Sequence, residues 1–238
     1  MNSQSSETVI NLQQLGFRWR QSEPWTIDID RLQIERGERV FIKGPSGSGK
    51  TTLLSLLAGV LTPQQGSCQL LGQDLTSMKP SQRDAFRADH IGFIFQQFNL
   101  LPYLSVIDNV TLALQFSKRR RLKVSDPVEE AIRILEHLDM ADESLLQRPV
   151  AELSVGQQQR VAAARALIGM PEILIADEPT SALDADRREA FIKLLQQECE
   201  QSQTTLVFVS HEQSLQTYFD RHIELADINH ASTTPEAI

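Results

Sequence analysis

The run Gly44-Pro45-Ser46-Gly47-Ser48-Gly49-Lys50-Thr51 satisfies G-x-x-x-x-G-K-[ST] at every specified position, the spacing of a loop that grips a nucleoside triphosphate. The glycines let the backbone fold tightly and turn N–H groups inward. The loop feeds a helix start, whose unsatisfied donors and positive dipole end favour phosphate. Lys50 supplies charge near the β- and γ-phosphates, Thr51 offers a hydroxyl to Mg²⁺, and Thr52 extends the same helix turn. A second element, Ile173-Leu-Ile-Ala-Asp177-Glu178, is an apolar strand ending in two carboxylates. Asp177 is suited to hold Mg²⁺ through water, and Glu178 to orient and polarise the water that attacks a γ-phosphate. A third, Leu153-Ser154-Val155-Gly156-Gln157, contains an S-x-x-Q capping box. Ser154 can cap a helix while Gln157 reaches back, leaving backbone donors for a γ-phosphate. Alone, an acidic pair can be a solvated loop and a capping box an ordinary helix start; the P-loop upstream gives both a common purpose.

The elements that must position these residues are legible as hydrophobic patterns. Val40-Phe41-Ile42 reads as a buried strand, and Thr51 to Ala58 carries leucines at helical spacing, so strand, glycine loop and helix follow in order. Between Val9 and Ile34 apolar residues tend to alternate, with Pro24 marking a turn, which predicts a pair of antiparallel strands. A turn at Thr62 to Gly66 leads to a short strand at Cys68 to Leu71. Ser105 to Phe116 reads as helical, and Asp126-Pro127 with Glu129 as a helix start whose apolar face is Val128, Ala131, Ile132, Leu135 and Leu138. Ile173 to Ala176, Arg187 to Glu198 and Leu206 to Val209 then alternate strand, helix, strand. That order implies parallel pairing through crossover helices, hence an α/β core with a mostly helical insertion.

Together these residues resemble the ATP-binding-cassette ATPases. Leu153-Ser-Val-Gly-Gln157 is similar to their L-S-G-G-Q signature, and the family's other motifs occur in family order over residues 8 to 226. The resemblance implies an α/β P-loop NTPase core (RecA-like, mainly parallel) from residues 1–96 and 166–238. An antiparallel β side sheet and a helical subdomain at 97–165 carrying the signature complete it. By similarity, Trp19 stacks on adenine, Gln96 is the glutamine of the Q-loop at the phosphates and Mg²⁺, Ser181-Ala-Leu-Asp184 is the D-loop, and His211 is the switch histidine. In the family two cassettes bind head to tail, each ATP lying between the P-loop of one and the signature of the other. Carried over, Lys50, Thr51, Gln96 and Asp177 position phosphates and Mg²⁺. Ser154, Gly156 and Gln157 complete the site from the partner, and Glu178 and His211 act on water and the γ-phosphate. The family usually has glycine at the position of Val155; valine disfavours positive φ and is harmless where the residue is helical.

The segment Ile91 to Pro102, with Val106-Ile-Asp-Asn-Val110, is similar to the branch that includes lipoprotein-releasing, macrolide-exporting and cell-division ATPases. This implies ATP and Mg²⁺ as cofactors, a homodimer and integral membrane permease subunits on separate chains. It also implies a location in the cytoplasm, peripheral on the cytoplasmic face of the inner membrane. Alternatives are a soluble cassette ATPase acting on nucleic acid or ribosomes, whose members usually fuse two cassettes or carry long coiled coils, and a P-loop kinase or GTPase. Neither fusion, coiled coil nor guanine-selective sequence is found.

Bulk properties agree. The 238 residues are 41% hydrophobic and 23% charged, enough for one large domain or a core with an insertion. The net charge of -8 disfavours nucleic acid as a partner. Leu53 to Leu61 is too short to span a bilayer, and Val161 to Ala176 is broken by Arg165, Pro171 and Glu172. The first residues lack a basic start and an apolar stretch, so no secretory signal is expected. Cys68 and Cys199 read as small core residues, and His90, His137, His222 and His230 as structural or solvated. The polar tail from Asn229 is expected to fray. The cluster Lys118-Arg-Arg-Arg121-Leu-Lys123 reads as a solvated, mobile loop, with contact to anionic lipid or a membrane subunit as the sharper reading.

Overall fold

The computed structural model describes residues 7–140, 142–181 and 183–231; the first residues, Ala141, Ala182 of the segment expected as the D-loop, and the end of the tail lie outside them. In chain order the elements begin β1 (Thr8–Phe17), β2 (Ile27–Glu35), β3 (Arg39–Lys43), α1 (Lys50–Leu57), β4 (Gln65–Leu70), β5 (Gln73–Asp74), α2 (Pro80–His90) and β6 (Ile91–Ile94). They continue α3 (Val106–Gln115), α4 (Lys118–Leu122), α5 (Pro127–His137), α6 (Val155–Leu167), β7 (Ile173–Asp177), α7 (Ala185–Ser202), β8 (Thr205–Ser210), β9 (Arg221–Glu224) and α8 (Leu225–Ile228). Two compact units result, one from residues 1–84 with 209–238, the other from 85–208.

In the first unit an antiparallel sheet runs β2-β1-β4-β5. Its alternation puts apolar residues opposite one another: Ile10 pairs with Ile34, Leu12 with Leu32 and Leu15 with Ile29 across β1 and β2. On the other edge Ile10 pairs with Leu70 and Leu12 with Cys68. All are buried, and such cross-strand pairs fix the register. Burial pushes the Cys68 thiol up to about 12, so it behaves as a small apolar residue. The strand that precedes the glycine loop, β3, pairs in parallel with β9, Lys43 lying opposite Glu224.

In the second unit β6 and β7 pair in parallel with β8 beside β7. The five residues of β7 are buried throughout, as a strand covered on both faces requires. The helices start where capping residues say they should: Ser105 accepts from Asp108 N at α3, and Asp126 accepts from Val128 N and Glu129 N at α5, with Pro127 in the first turn. The buried face of α5 is Ala131, Ile134 and Leu135, continued by Leu138, whereas Val128 is exposed; the expected face was rotated by including Val128 and omitting Ile134.

The basic cluster is a correction. It is no solvated loop but the helix α4, capped by Ser117, whose hydroxyl accepts from Arg120 N and donates to Asp89 at 2.5 Å. Arg120 is buried, donating from Nε to Ile168 O at 2.9 Å and from its terminal nitrogen to Ala166 O at 2.8 Å. Arg119 and Lys123 converge on Glu172 at 2.6 and 3.3 Å, and His90 Nδ1 meets the other carboxylate oxygen at 3.0 Å. Mutual repulsion is offset because Arg119, Arg120 and Lys123 find acceptors at the end of α6 and on the segment that follows it, and Arg121 donates to Val124 O at 2.7 Å.

Candidate nucleotide-binding and signature site

In the first unit β3 delivers the chain to Gly44. Gly47 (φ 78°) and Gly49 (φ 96°) take the left-handed backbone that the tight loop requires. Gly49 is also the N-cap of α1 and supplies no side-chain cap, so the first donors of that helix are available to a ligand. Lys50 Nζ donates to Gly44 O at 2.7 Å and to Pro45 O at 2.9 Å, bracing the loop from within. The Ser48 hydroxyl is buried without a hydrogen-bond partner, an orphan of the kind a bound oxyanion resolves. Pro45, Ser46 and Thr51 face solvent while Thr52 packs inward. Trp19 follows β1, 61% exposed, edge-on to Phe17 at 5.2 Å; beside it Arg18 lies over the Trp25 ring at 4.6 Å. His211 is exposed directly after β8, in a turn where Glu212 N donates to Ser210 Oγ.

In the second unit β6 leads to Gln96, which is exposed, while Phe95 stacks on Phe93 with centroids 4.2 Å apart. The following turn puts Phe98 (φ 61°) and Asn99 (φ 48°) in left-handed backbone. Arg165 pins it by donating to both of their carbonyls at 2.6 Å. Asp177 closes β7, largely buried, and Glu178 follows at φ 44°, a conformation costing about 1 kcal/mol for a residue with a Cβ that redirects its carboxylate off the strand path. At the signature the capping box is complete: Gln157 N donates to Ser154 Oγ at 3.3 Å and Ser154 N to Gln157 Oε1 at 2.9 Å. Val155 is the first residue of α6 and has no positive φ. Ser154, Gly156 and Gln157 line a cavity of about 310 Å³ with Leu183, Arg187 and Phe191, so the signature and the start of α7 are brought together. Asp184 caps α7, accepting from Arg187 N at 3.0 Å.

The family profile described as ABC transporter matches residues 27–181. This chain belongs to the ABC transporter family. It is similar to the lipoprotein-releasing system ATP-binding protein LolD of Psychrobacter arcticus, 41% identical over 194 residues that cover 82% of this chain and 84% of that protein. It is 39% identical to the macrolide export ATP-binding/permease protein MacB of Rhodopirellula baltica, of which it spans 28%. Among solved structures it resembles the dimeric post-hydrolysis state of the ATP-binding cassette MJ0796 bound to ADP and phosphate, with a TM-score of 0.80 and 30% identity over 94% of this chain and 97% of that one. MJ0796 is a protein of Methanocaldococcus jannaschii. The fold is therefore the P-loop NTPase fold of ABC cassettes, and the chain is the ATP-hydrolysing, nucleotide-binding subunit; action on nucleic acid or ribosomes is not favoured.

The structure of this ABC subunit also reveals two residues that its motifs do not mark. Arg165 was noticed only as an interruption of an apolar run, although an arginine inside such a run signals a satisfied buried cation; burial lowers its pKa. Asn109, fully buried, donates to the Leu101, Leu104 and Ser105 carbonyls and accepts from Leu101 N, ordering the approach to α3. No sequence signal marks it beyond an asparagine on an apolar helix.

Proposed function

We propose that this subunit acts as a homodimer that closes on two ATP molecules and drives integral membrane permease subunits carried on separate chains. The branch is that of the lipoprotein-release and macrolide-export relatives, with the helical segment 97–165 as the arm that carries the signature between core segments 1–96 and 166–238. One observation carries this reading. A Cβ built on Gly156 would meet nothing of its own chain nearer than Leu183 at 3.8 Å, and its φ is not positive. Neither backbone conformation nor internal packing occupies that position, so the backbone at Gly156 is open to close approach from outside. The N-terminus of α6, capped at Ser154 and still rich in donors, suits the γ-phosphate of a nucleotide held by a second copy.

Within each copy Lys50 and the inward N–H groups of the glycine loop hold the β- and γ-phosphates, and Trp19 offers its face to adenine. The orphaned Ser48 hydroxyl and uncapped α1 fit a phosphate chain, and the Thr51 hydroxyl and the Asp177 carboxylate, each a hard-oxygen donor, are with Gln96 the residues that would hold Mg²⁺. When bound, Mg²⁺ neutralises charge on the phosphates. Glu178 orients and polarises the attacking water, and His211 steadies the γ-phosphate, so positioning and electrostatics supply most of the acceleration. Among the described residues no helix is long and apolar enough to cross a membrane, which accords with separate permease subunits on whose cytoplasmic face this chain would sit.

The test is Glu178→Gln. The variant should bind ATP, lose turnover about a thousandfold, and run as an ATP-dependent dimer in size-exclusion chromatography. Undiminished turnover would remove Glu178 from its role, and a strictly monomeric ATP-loaded variant would remove the shared site.

A further inference from the structure

The P-loop motif ends at Thr51, yet its far side is supported by a segment to which nothing so far assigns a role. After β9 the chain forms the short α8, then Asn229, within the same unit as the glycine loop. Leu225, fully buried, stands against the start of the loop, its Cβ 3.3 Å from where a Cβ on Gly44 would be. Asn229 stands against its end. Its Oδ1 accepts from Asp28 N at 2.8 Å and from Ala231 N at 3.3 Å. Its Nδ2 donates to Thr26 O at 3.1 Å and, more weakly, to Ser48 O at 3.4 Å. All four hydrogen-bonding positions of the amide are used. Reversing the amide would set oxygen against two carbonyls and nitrogen against two N–H groups, so the network itself fixes the orientation.

The two backbones joined in this way matter for function. Ser48 belongs to the phosphate loop and precedes Gly49, the N-cap of α1. Thr26 immediately precedes β2 and Asp28 is its second residue, at the base of the β1–β2 loop that carries Trp19, where Thr26 N donates to Phe17 O at 2.8 Å. Direct packing between the two is already tight, since a Cβ on Gly49 would be 2.9 Å from Ile27 Cδ1 and 3.1 Å from Thr26 O. Asn229 is held in turn by its own backbone, donating to Leu225 O at 2.8 Å, and by His230 N donating to Asp28 O at 2.8 Å.

We propose that Asn229 is a positioning residue that fixes the adenine-side hairpin relative to the phosphate loop, so that one nucleotide engages both at once. It touches no nucleotide. It acts by sparing the nucleotide the ordering of two independent backbones at the moment of binding, the advantage that makes a two-point ligand tighter than either point alone. The inference rests on the nucleotide reading of Trp19 and the glycine loop given above.

Asn229→Asp isolates the effect, because the carboxylate still accepts from Asp28 N and Ala231 N but presents oxygen to the Thr26 and Ser48 carbonyls. Asn229→Ala, which removes both halves without adding charge, is measured in parallel. Calorimetric titration of the full chain with ADP and with pyrophosphate is the readout. ADP spans the loop and the hairpin, pyrophosphate the loop alone. The expected result is that both variants bind ADP about tenfold more weakly, one hydrogen bond's worth of affinity, with pyrophosphate affinity changed by less than about threefold. The KM for ATP should rise while kcat at saturation stays within about twofold. ADP affinity equal to the unsubstituted chain, or equal losses for ADP and pyrophosphate, would overturn the inference.

Two controls separate its failure from failure of the reading beneath it. Lys50→Ala must weaken both ligands and Trp19→Ala must weaken ADP alone. If those controls behave and the Asn229 variants bind normally, only the positioning role falls.

Discussion

Replacing Arg120 by Met removes a guanidinium while keeping an unbranched apolar stem of similar reach, so nearly all the cost comes from what the guanidinium leaves behind. Arg120 is 3% exposed. It donates to Ala166 O and, through two nitrogens, to Ile168 O. These are carbonyls at the C-terminal end of α6, where no intrahelical donor remains and the helix dipole favours a cation. Burial pulls the Arg120 pKa down to about 10, opposed by the nearby Glu172 and Asp89 charges, so the side chain is charged at neutral pH. Two orphaned buried acceptors cost about 1–3 kcal/mol each, which gives a loss of roughly 3–4 kcal/mol once partial hydration is allowed for. Arg120→Ala should lose about 1–2 kcal/mol more through the cavity, and Arg120→Lys, with charge but no fork, should fall between Met and the parent. Urea unfolding followed by circular dichroism measures this; tryptophan emission does not suit, because both tryptophans, Trp19 and Trp25, lie in the other unit. A loss under about 1 kcal/mol for Arg120→Met would refute the account of α4 as an anchor for the signature helix.

The pH dependence of the same region follows from Glu172. Burial alone would raise this carboxyl, but the hydrogen bonds from His90 and Arg119 and the Lys123 charge outweigh it and hold its pKa far below the ordinary range. Because the folded value is depressed, the stabilisation is fully present above the unfolded value of about 4.3 and is lost as pH falls through the folded one. Glu172→Gln should lower the melting midpoint at pH 7 by several degrees, about 2 kcal/mol, with the gap from the parent narrowing below about pH 4; a gap constant from pH 7 to pH 3 would contradict it. At the signature, Gly156→Ala should leave thermal stability unchanged within about 0.5 kcal/mol, because the site has room for a methyl, while abolishing ATP-driven dimerisation on size exclusion. Dimerisation as strong as the parent's, or a large loss of fold stability, would break the claim that the second copy alone requires the glycine.

Much of the chemistry was readable because it is local in sequence. The glycine loop, the strand ending in Asp177 and Glu178, and the Ser154 and Gln157 capping box are each defined by spacings of a few residues, and a helix or strand end converts such spacing directly into geometry. The helix starts at Ser105 and Asp126 were legible for the same reason. The misreadings share the opposite property. Lys118 to Lys123 reads as mutually repelling charge until its acceptors are known. Arg120 meets Ile168 at a separation of 48 residues and Arg119 meets Glu172 at 53, beyond any periodicity. Arg165 reaches Phe98 across 67 residues, and Asn229 reaches Thr26 across 203. The β-sheet edges formed by β5 and β9 are short, and the strand signal of two or four residues lies below what alternation can resolve.

Val155 and Gly156 show where a motif stops being a pattern and becomes two separate requirements. At Val155 the only local demand is a helical φ at the first residue of α6, and the Ser154 and Gln157 cap satisfies the backbone around it whatever the side chain. A β-branched residue fits there and points 49% exposed toward solvent. At Gly156 the local demand is absent too, yet a glycine stands there beside a cavity lined by Ser154, Gln157, Arg187, Leu183 and Phe191. On the function proposed here the two positions differ in what comes to that face: a triphosphate on a second copy would bring its oxygens to the backbone at Gly156 but not at Val155. Beyond the local bracing by the Ser154 and Gln157 cap and by Lys50, further supports of these two segments lie far away in sequence. Thus α6 is held from its opposite end by Arg120, and the glycine loop from behind by Leu225 and Asn229, so that neither brace stands on a surface proposed to meet nucleotide.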